Sequence, residues 1–263
     1  MTASARLRIA VLMLAALTAG LATAGELPNI VILATGGTIA GAQPTEGDPG
    51  YKSGSLSIDS LIAAAPGMDK LARFNGEQIA SIGSQDMNDA VWLKLAKRAN
   101  ELLATPEVDS IVVTHGTDTL EETAYLLDLT VSSPKPVVLC GAMRTFSDPG
   151  WDGPANLTAA VRAAAHPGAR GRGTLVVVGE EVHAASRVRK VHTQRLEAFA
   201  SATGPLGVLD RGRVVFHEPA SRGPVLRPRR IETAVDLHVL AAGSDDRLLR
   251  ASLASGARGL VLE

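Results

Sequence analysis

Three short stretches of this sequence set hydroxyl, amide and carboxylate side chains beside glycine. They are Thr35-Gly36-Gly37-Thr38-Ile39-Ala40-Gly41, Gly83-Ser84-Gln85-Asp86 and Thr114-His115-Gly116-Thr117-Asp118-Thr119. Paired glycines let a backbone turn sharply and approach a ligand closely. A threonine projecting beyond them, as Thr38 does, can serve as a nucleophile once a base or a cation assists its hydroxyl. Thr117 beside the Asp118 carboxylate suits a charged or zwitterionic substrate. Each stretch also has a plainer reading. Thr38 could fill a loop or cap a helix, and Asp118 or Thr119 could cap one. Capping, however, does not call for a histidine, a glycine and three hydroxyls in one run. The Gly-Gly run has neither the Gly-x-x-x-x-Gly-Lys pattern of a phosphate loop nor a dinucleotide fingerprint. His115 has no partner histidines at ligand spacing, so its role is structural and no metal site is expected.

The elements that must position these groups alternate along the chain. Strand-like runs cover Asn29 to Ala34, Gln78 to Ile82, Ser110 to Thr114, Pro136 to Cys140 and Leu175 to Val178. Apolar runs of that length, bounded by glycine and polar residues, read as buried strands. Helical patterns fill the gaps. Asn88 to Ala104 carries Val91, Leu95, Ala99 and Leu102 on one stripe. Thr119 to Leu129 opens on Thr119-x-x-Glu122, the pattern of a capping box, with Tyr125 read as core among its leucines. Pro154 to Ala165 starts with a proline suited to a first turn. Such alternation implies right-handed crossovers and a mainly parallel sheet flanked by helices. In open α/β sheets ligands bind at the carboxyl ends of strands. Thr38, Ser84, Gln85, Thr117 and Asp118 all follow strands, so they converge on one edge of the sheet and suit a small polar substrate.

Composition narrows the classes. Of the 263 residues, 46% are hydrophobic and 20% charged, as in a globular chain with a sizeable core. A net charge of −1 argues against a nucleic-acid partner or an anionic membrane surface. With 3% aromatics, base-stacking platforms are not expected. Residues 1–24 read as a secretory signal peptide: Arg6 and Arg8, an apolar run from Ile9 to Ala22, then cleavage after Ala22-Thr23-Ala24. That places the mature chain in the periplasm or outside the cell. The single cysteine, Cys140, forms no internal disulfide and reads as a small core residue.

The motifs resemble those of the bacterial-type asparaginase and glutaminase-asparaginase family. The matching runs are Ile32 to Ala40, Ile82-Gly83-Ser84-Gln85-Asp86-Met87, and Val113 to Thr123. Gly141-Ala142-Met143-Arg144, Asp152-Gly153-Pro154-x-Asn156-Leu157, Arg187-x-x-Lys190 and Gly204-Pro205-Leu206-Gly207 follow in order. The signal peptide points to the secreted, type II branch. The resemblance implies hydrolysis of L-asparagine to L-aspartate and ammonia through an acyl-enzyme, without metal or organic cofactor. It implies Thr38 as primary nucleophile, Tyr51 as a loop tyrosine assisting it, and Thr117, Asp118 and Lys190 as a second catalytic cluster. Ser84 and Gln85 would hold the substrate α-carboxylate and Asp118 its α-ammonium. The Ala142 carbonyl would accept the leaving amide. Read by itself, Lys190 beside Arg187 and Arg189 looks like part of a solvated basic stretch; only the resemblance selects it.

The expected organisation is a signal peptide at 1–24, an N-terminal asparaginase domain at 25–218, a linker at 219–233 and an incomplete smaller α/β domain at 234–263. Pro219 to Arg230 is rich in Pro, Arg and Gly, and Ala234 to Ala241, Asp245 to Ala257 and Gly259 to Leu262 form one β-α-β unit. In the family the second domain continues past the position of Glu263, completes a neighbouring subunit's site and supports a homotetramer. The alternatives to L-asparagine hydrolysis are a dual glutaminase-asparaginase and a truncated, non-catalytic amino-acid-binding remnant.

Overall fold

The computed structural model of the chain describes residues 26–45, 50–228 and 231–263. The expected leader at 1–24 lies outside the described residues. Within them, no helix is long and apolar enough to cross a membrane.

Five strands form the parallel part of an eight-stranded sheet: β1 (Asn29–Gly36), β2 (Arg73–Ile82), β3 (Ser110–Thr114), β4 (Val137–Cys140) and β5 (Thr174–Val178). Their order is β2-β1-β3-β4-β5. Successive side chains on a strand point to opposite faces, and in β1, β3, β4 and β5 both faces are buried, whereas β2 at the sheet edge buries only Ile79. Ile30, Ile32, Val112, Val138 and Val177 enter one core, while Val31, Leu33, Ile111, Val113 and Val176 enter the other. Continuous apolar runs are what a sheet covered on both sides requires. The first core is closed by α1 (Ile58–Ala63) and α4 (Gly153–Ala165). The second is closed by α2 (Asp89–Ala104) and α3 (Leu120–Thr130).

Local signals mark the starts of α2 and α4. Asn88 caps α2 by accepting the Val91 N–H, and Pro154 occupies the first turn of α4. The stripe on α2 is buried at Leu95, Ala99 and Leu102. Two expectations for α3 need correction. Thr119 makes no side-chain capping bond: its backbone, at φ −120° and ψ 23°, is not the extended conformation of a cap, and its hydroxyl is turned to donate to the Ser84 carbonyl at 2.8 Å. Tyr125 is exposed rather than core, since the buried face of α3 runs through Leu120, Thr123, Ala124 and Leu127.

The sheet continues antiparallel through β6 (Glu181–Ala184), β9 (Gly207–Asp210) and β10 (Arg213–Phe216). A two-residue turn at Gly179-Glu180, with Gly179 at φ 64, links β5 to β6. Outside this sheet, β7 (Val188–Lys190) pairs antiparallel with β8 (Phe199–Ser201). None of these five strands is among the strand-like runs of the sequence. Beyond them, β11 (Val235–His238), α5 (Arg247–Ala254) and β12 (Gly259–Leu262) form a parallel β-α-β unit, with Leu237 and Leu262 exposed.

Residues 219–228 contain no helix or strand, yet they are fastened to the body of the protein. The Arg222 guanidinium donates to the carbonyls of Asp128 and Ser133, at 2.7 and 3.0 Å, and to that of Val131. These lie at the carboxyl end of α3, where helix carbonyls lack partners and a cation is favoured.

Candidate active site

The chain leaves β1 towards one face of the sheet and its neighbour β3 towards the other, and a crevice opens between them at the strand carboxyl ends. The loops after β1 and β3 meet there. Gly36 and Gly37 have φ of 109° and 80°, which side chains rarely adopt. A Cβ on Gly37 would fall onto the backbone of Gly116. Backbone therefore touches backbone, and the next residues of the two loops are Thr38 and Thr117.

Thr38 is half-buried at the start of a single 3₁₀ turn, Thr38–Ala40. Its Oγ1 lies 2.7 Å from the Tyr51 hydroxyl. A bridge between Ala42 and Lys52 returns the chain to this point. Gly41 leaves room for the Tyr51 ring, which a side chain there would meet.

Thr117 is buried, and its Oγ1 accepts from Lys190 Nζ at 2.8 Å. The same ammonium donates to Asp118 Oδ1 at 2.6 Å. The Lys190 side chain is 13% exposed and that of Asp118 61%, so the pair spans from interior to crevice mouth. Ser84 is buried, and its hydroxyl accepts the Asp118 backbone N–H at 3.1 Å. Gln85 is exposed, with its amide folded over Gly83.

Ala142 is fully buried in the loop after β4. That loop lies close enough to Thr117 that a Cβ on Gly141 would press on its methyl group. Asp152 holds the loop by accepting the backbone N–H groups of Met143 and Arg144, at 3.1 and 2.9 Å. Asn156 donates to the Gly141 carbonyl at 2.9 Å. The sequence reading gave no role to Asp152 or Asn156. Asp152-Gly153-Pro154 looks like a helix cap, but the Asp152 carboxylate makes no cap and reaches back to the loop. Nor did that reading give a separate role to Glu121, whose carboxylate accepts the backbone N–H of Lys190.

His115 is fully buried and structural in its contacts. Its Nδ1 faces the Gly116 carbonyl at 2.7 Å and must carry the proton, so Nε2 accepts from the Thr123 hydroxyl at 2.9 Å. Thr123 Oγ1 in turn accepts the Trp92 indole N–H at 2.7 Å. Burial pushes the His115 pKa down to about 4, keeping the ring neutral near pH 7. Burial also pushes the Cys140 thiol up to about 12, which leaves it inert inside the core. Among the described residues, no group of three or more His, Cys, Asp or Glu side chains is arranged to hold a metal ion.

A cavity of about 840 Å³ lies elsewhere, with Pro154, Ala159, Phe199 and Leu209 among its walls. Thr38, Tyr51, Ser84, Thr117, Asp118 and Lys190 do not line it. The convergence of reactive groups, not the size of the cavity, marks the candidate site.

Residues 29–222 match the family described as Asparaginase, N-terminal. The probable periplasmic L-asparaginase of Haemophilus influenzae is 48% identical over 227 residues, covering 86% of this chain and 64% of that protein. L-asparaginase 2 of Escherichia coli is 46% identical over 211 residues, covering 80% of this chain and 60% of that one. The glutaminase-asparaginase of Pseudomonas fluorescens biotype A is 42% identical over 202 residues, covering 76% and 56%. The chain thus spans 56% to 64% of the length of these three relatives. Among solved structures, a probable cytoplasmic L-asparaginase from Campylobacter jejuni matches with a TM-score of 0.79 at 37% identity, covering 89% of this chain and 73% of that one.

Proposed function

The chain belongs to the asparaginase family, and from that premise we propose that it hydrolyses L-asparagine to L-aspartate and ammonia with Thr38 as nucleophile. The observation that carries this reading is the convergence of two hydroxyl-bearing groups at one crevice. Thr38 stands against Tyr51 in one, and Thr117 stands against Lys190 and Asp118 in the other.

In this reading Thr38 Oγ1 attacks the side-chain amide carbon, and its proton passes to a neighbouring group. Tyr51, in hydrogen-bond contact with that oxygen, is placed to assist. The tetrahedral adduct expels ammonia after protonation of its nitrogen, leaving an aspartyl ester on Thr38. Water then adds to the ester carbonyl, and L-aspartate departs as the Thr38 hydroxyl is restored. Lys190, Thr117 and Asp118 form a hydrogen-bonded chain able to relay protons in both halves. Asp118, exposed at the mouth of the crevice, would pair with the substrate α-ammonium. Ser84 and Gln85 would hold the α-carboxylate, and the Ala142 carbonyl would accept from the amide nitrogen.

Export to the periplasm is proposed on the pattern of residues 1–24 and on the relative named as periplasmic, although the Campylobacter jejuni protein is named as cytoplasmic. A homotetramer is proposed as the working assembly. The likeness to a glutaminase-asparaginase favours a second reading, activity on both amides. The test is ammonia release from L-asparagine and L-glutamine by the full chain and by Thr38→Ala. Removal of the nucleophile should lower kcat by at least about a thousandfold. Ammonia release by Thr38→Ala at a rate near that of the parent would refute the assignment, and comparable initial rates on the two amides would select the dual activity.

A further inference from the structure

Lys190 carries much of the proposed chemistry from a weak support. It ends β7, a three-residue strand outside the main sheet that, among the described residues, pairs only with the three residues of β8. A two-stranded ribbon is marginal unless packed against something. Val188 and Phe199 anchor it in the second core, but apolar packing does not fix where the Lys190 backbone sits along α3.

Glu121 supplies that fix. It lies in the first turn of α3, three residues beyond Asp118, in the same loop-and-helix start that carries Thr117. One carboxylate oxygen accepts the backbone N–H of Lys190, and the other meets Arg189 Nη1 at 3.1 Å. The Glu121 side chain is 16% exposed, whereas that of Arg189 is 77% exposed. The Arg189 contact is therefore a weak surface pair, and the bond to the Lys190 backbone is the specific one. The first turn of a helix favours an anion, so the carboxylate is itself held in place. Thr117, Asp118 and the grip on Lys190 thus come from one rigid element. The distances from Lys190 Nζ to Thr117 Oγ1 and Asp118 Oδ1, 2.8 and 2.6 Å, follow from that shared origin.

We propose that Glu121 is a positioning residue, whose carboxylate locks the β7–β8 hairpin to α3 and so sets Lys190 against Thr117. The inference rests on the role given to Lys190 under the proposed function. Glu121→Ala removes both acceptors, and misplacement of a reacting group by about 1 Å costs on the order of a hundredfold. The expected effect is a fall in kcat of about 10- to 100-fold with KM changed by less than about threefold. Glu121→Gln keeps one acceptor for the Lys190 N–H and should recover most of the rate.

Two measurements test this on the full chain. Steady-state kinetics of Glu121→Ala are compared in the parent and in the Lys190→Met background. A residue acting through Lys190 loses its effect once Lys190 is gone; an equal loss in both backgrounds overturns the proposal. Amide hydrogen exchange across residues 188–201 is then compared between the parent and Glu121→Ala. Faster exchange there, with β1 and β3 unchanged, is expected, and unchanged exchange overturns the proposal. If the parent chain releases no ammonia, the functional reading fails while hydrogen exchange still decides the clamp. Should Glu121→Ala not fold, Glu121→Asp, which withdraws the carboxylate by one methylene, replaces it in both measurements.

Discussion

Arg222 should stabilise the fold far more than its place in a proline-rich, irregular segment suggests. Its guanidinium donates to three carbonyls at the end of α3, and its Nε lies 3.8 Å from Asp128 Oδ1. That last distance is an ion-pair separation and not a hydrogen bond; Nε has no hydrogen-bond partner among the described residues. Both side chains are largely buried, with Arg222 14% and Asp128 11% exposed. Arg222→Met keeps much of the aliphatic volume and removes the charge and every donor. Breaking a buried charged contact from one side costs about 3–5 kcal/mol. Because the ion pair is loose and methionine retains packing, the lower end, about 3 kcal/mol, is expected. The loss should depend on pH. Burial already raises the Asp128 pKa, against the lowering effects of the Thr174 N–H and the Arg222 charge. Without Arg222 the folded-state pKa rises further above its unfolded value. The variant then gains relative stability as pH falls and Asp128 takes up a proton. Its deficit is therefore larger at pH 8 than at pH 5. Urea unfolding followed by tryptophan fluorescence measures this, since Trp92 reports on the α2–α3 contact through Thr123. A deficit below about 1 kcal/mol at pH 8, or an equal deficit at both pH values, would refute the reasoning.

Two further outcomes follow from the site. Asp118→Asn removes the counter-charge to Lys190 and, on the proposed function, to the substrate ammonium, and should raise KM for L-asparagine by about tenfold or more. Ser84→Ala, which loses a neutral contact to the Asp118 N–H, should do less, and Michaelis kinetics showing the reverse order would displace the α-ammonium from Asp118. His115 has a folded-state pKa of about 4 against 6.5 for the free side chain, so the unfolded chain binds a proton first as pH falls. Stability is full above pH 6.5 and declines between 6.5 and about 4, by up to about 3 kcal/mol from this residue. Urea midpoints at pH 7 and 4.5 should differ less in His115→Gln than in the parent, and an unchanged difference would show that another group governs acid sensitivity.

β1, β3, β4 and β5 were legible because burial on both faces leaves an apolar run that no surface strand would carry; β2, at the sheet edge with only Ile79 buried, shows such a run only from Gln78, although the strand starts at Arg73. The shorter strands were not. Over the three residues of β7 a period of two cannot be recognised, so Val188-Arg189-Lys190 reads as basic and solvated. In the fold, the pleat turns Val188 into the core and Arg189 outward, and brings Lys190 back to the Val188 side, against Thr117. The pattern at Thr119 failed for the opposite reason. Its local signal was strong, but the backbone at Thr119 is not extended as a cap requires, and a tertiary partner, the Ser84 carbonyl, orients the hydroxyl away from the helix start.

The glycines show most clearly what a sequence can carry and what it leaves to the fold. Gly36-Gly37 announces that backbone comes close to something, without saying to what. For Gly36 the answer is the backbone of Ile82, and for Gly37 it is Gly116, a residue 79 positions away in a stretch that makes the same announcement. A Cβ on Gly37 would overlap the Gly116 backbone, and one on Gly116 would press on Ser84. With no side chain between the two turns, the separation of Thr38 from Thr117 is set by main chain packed on main chain. Main chain held this way has no rotamers to vary, so the packing fixes one spacing for the two hydroxyl-bearing loops. A side chain at either glycine would have to move one loop relative to the other, and the two threonines with it.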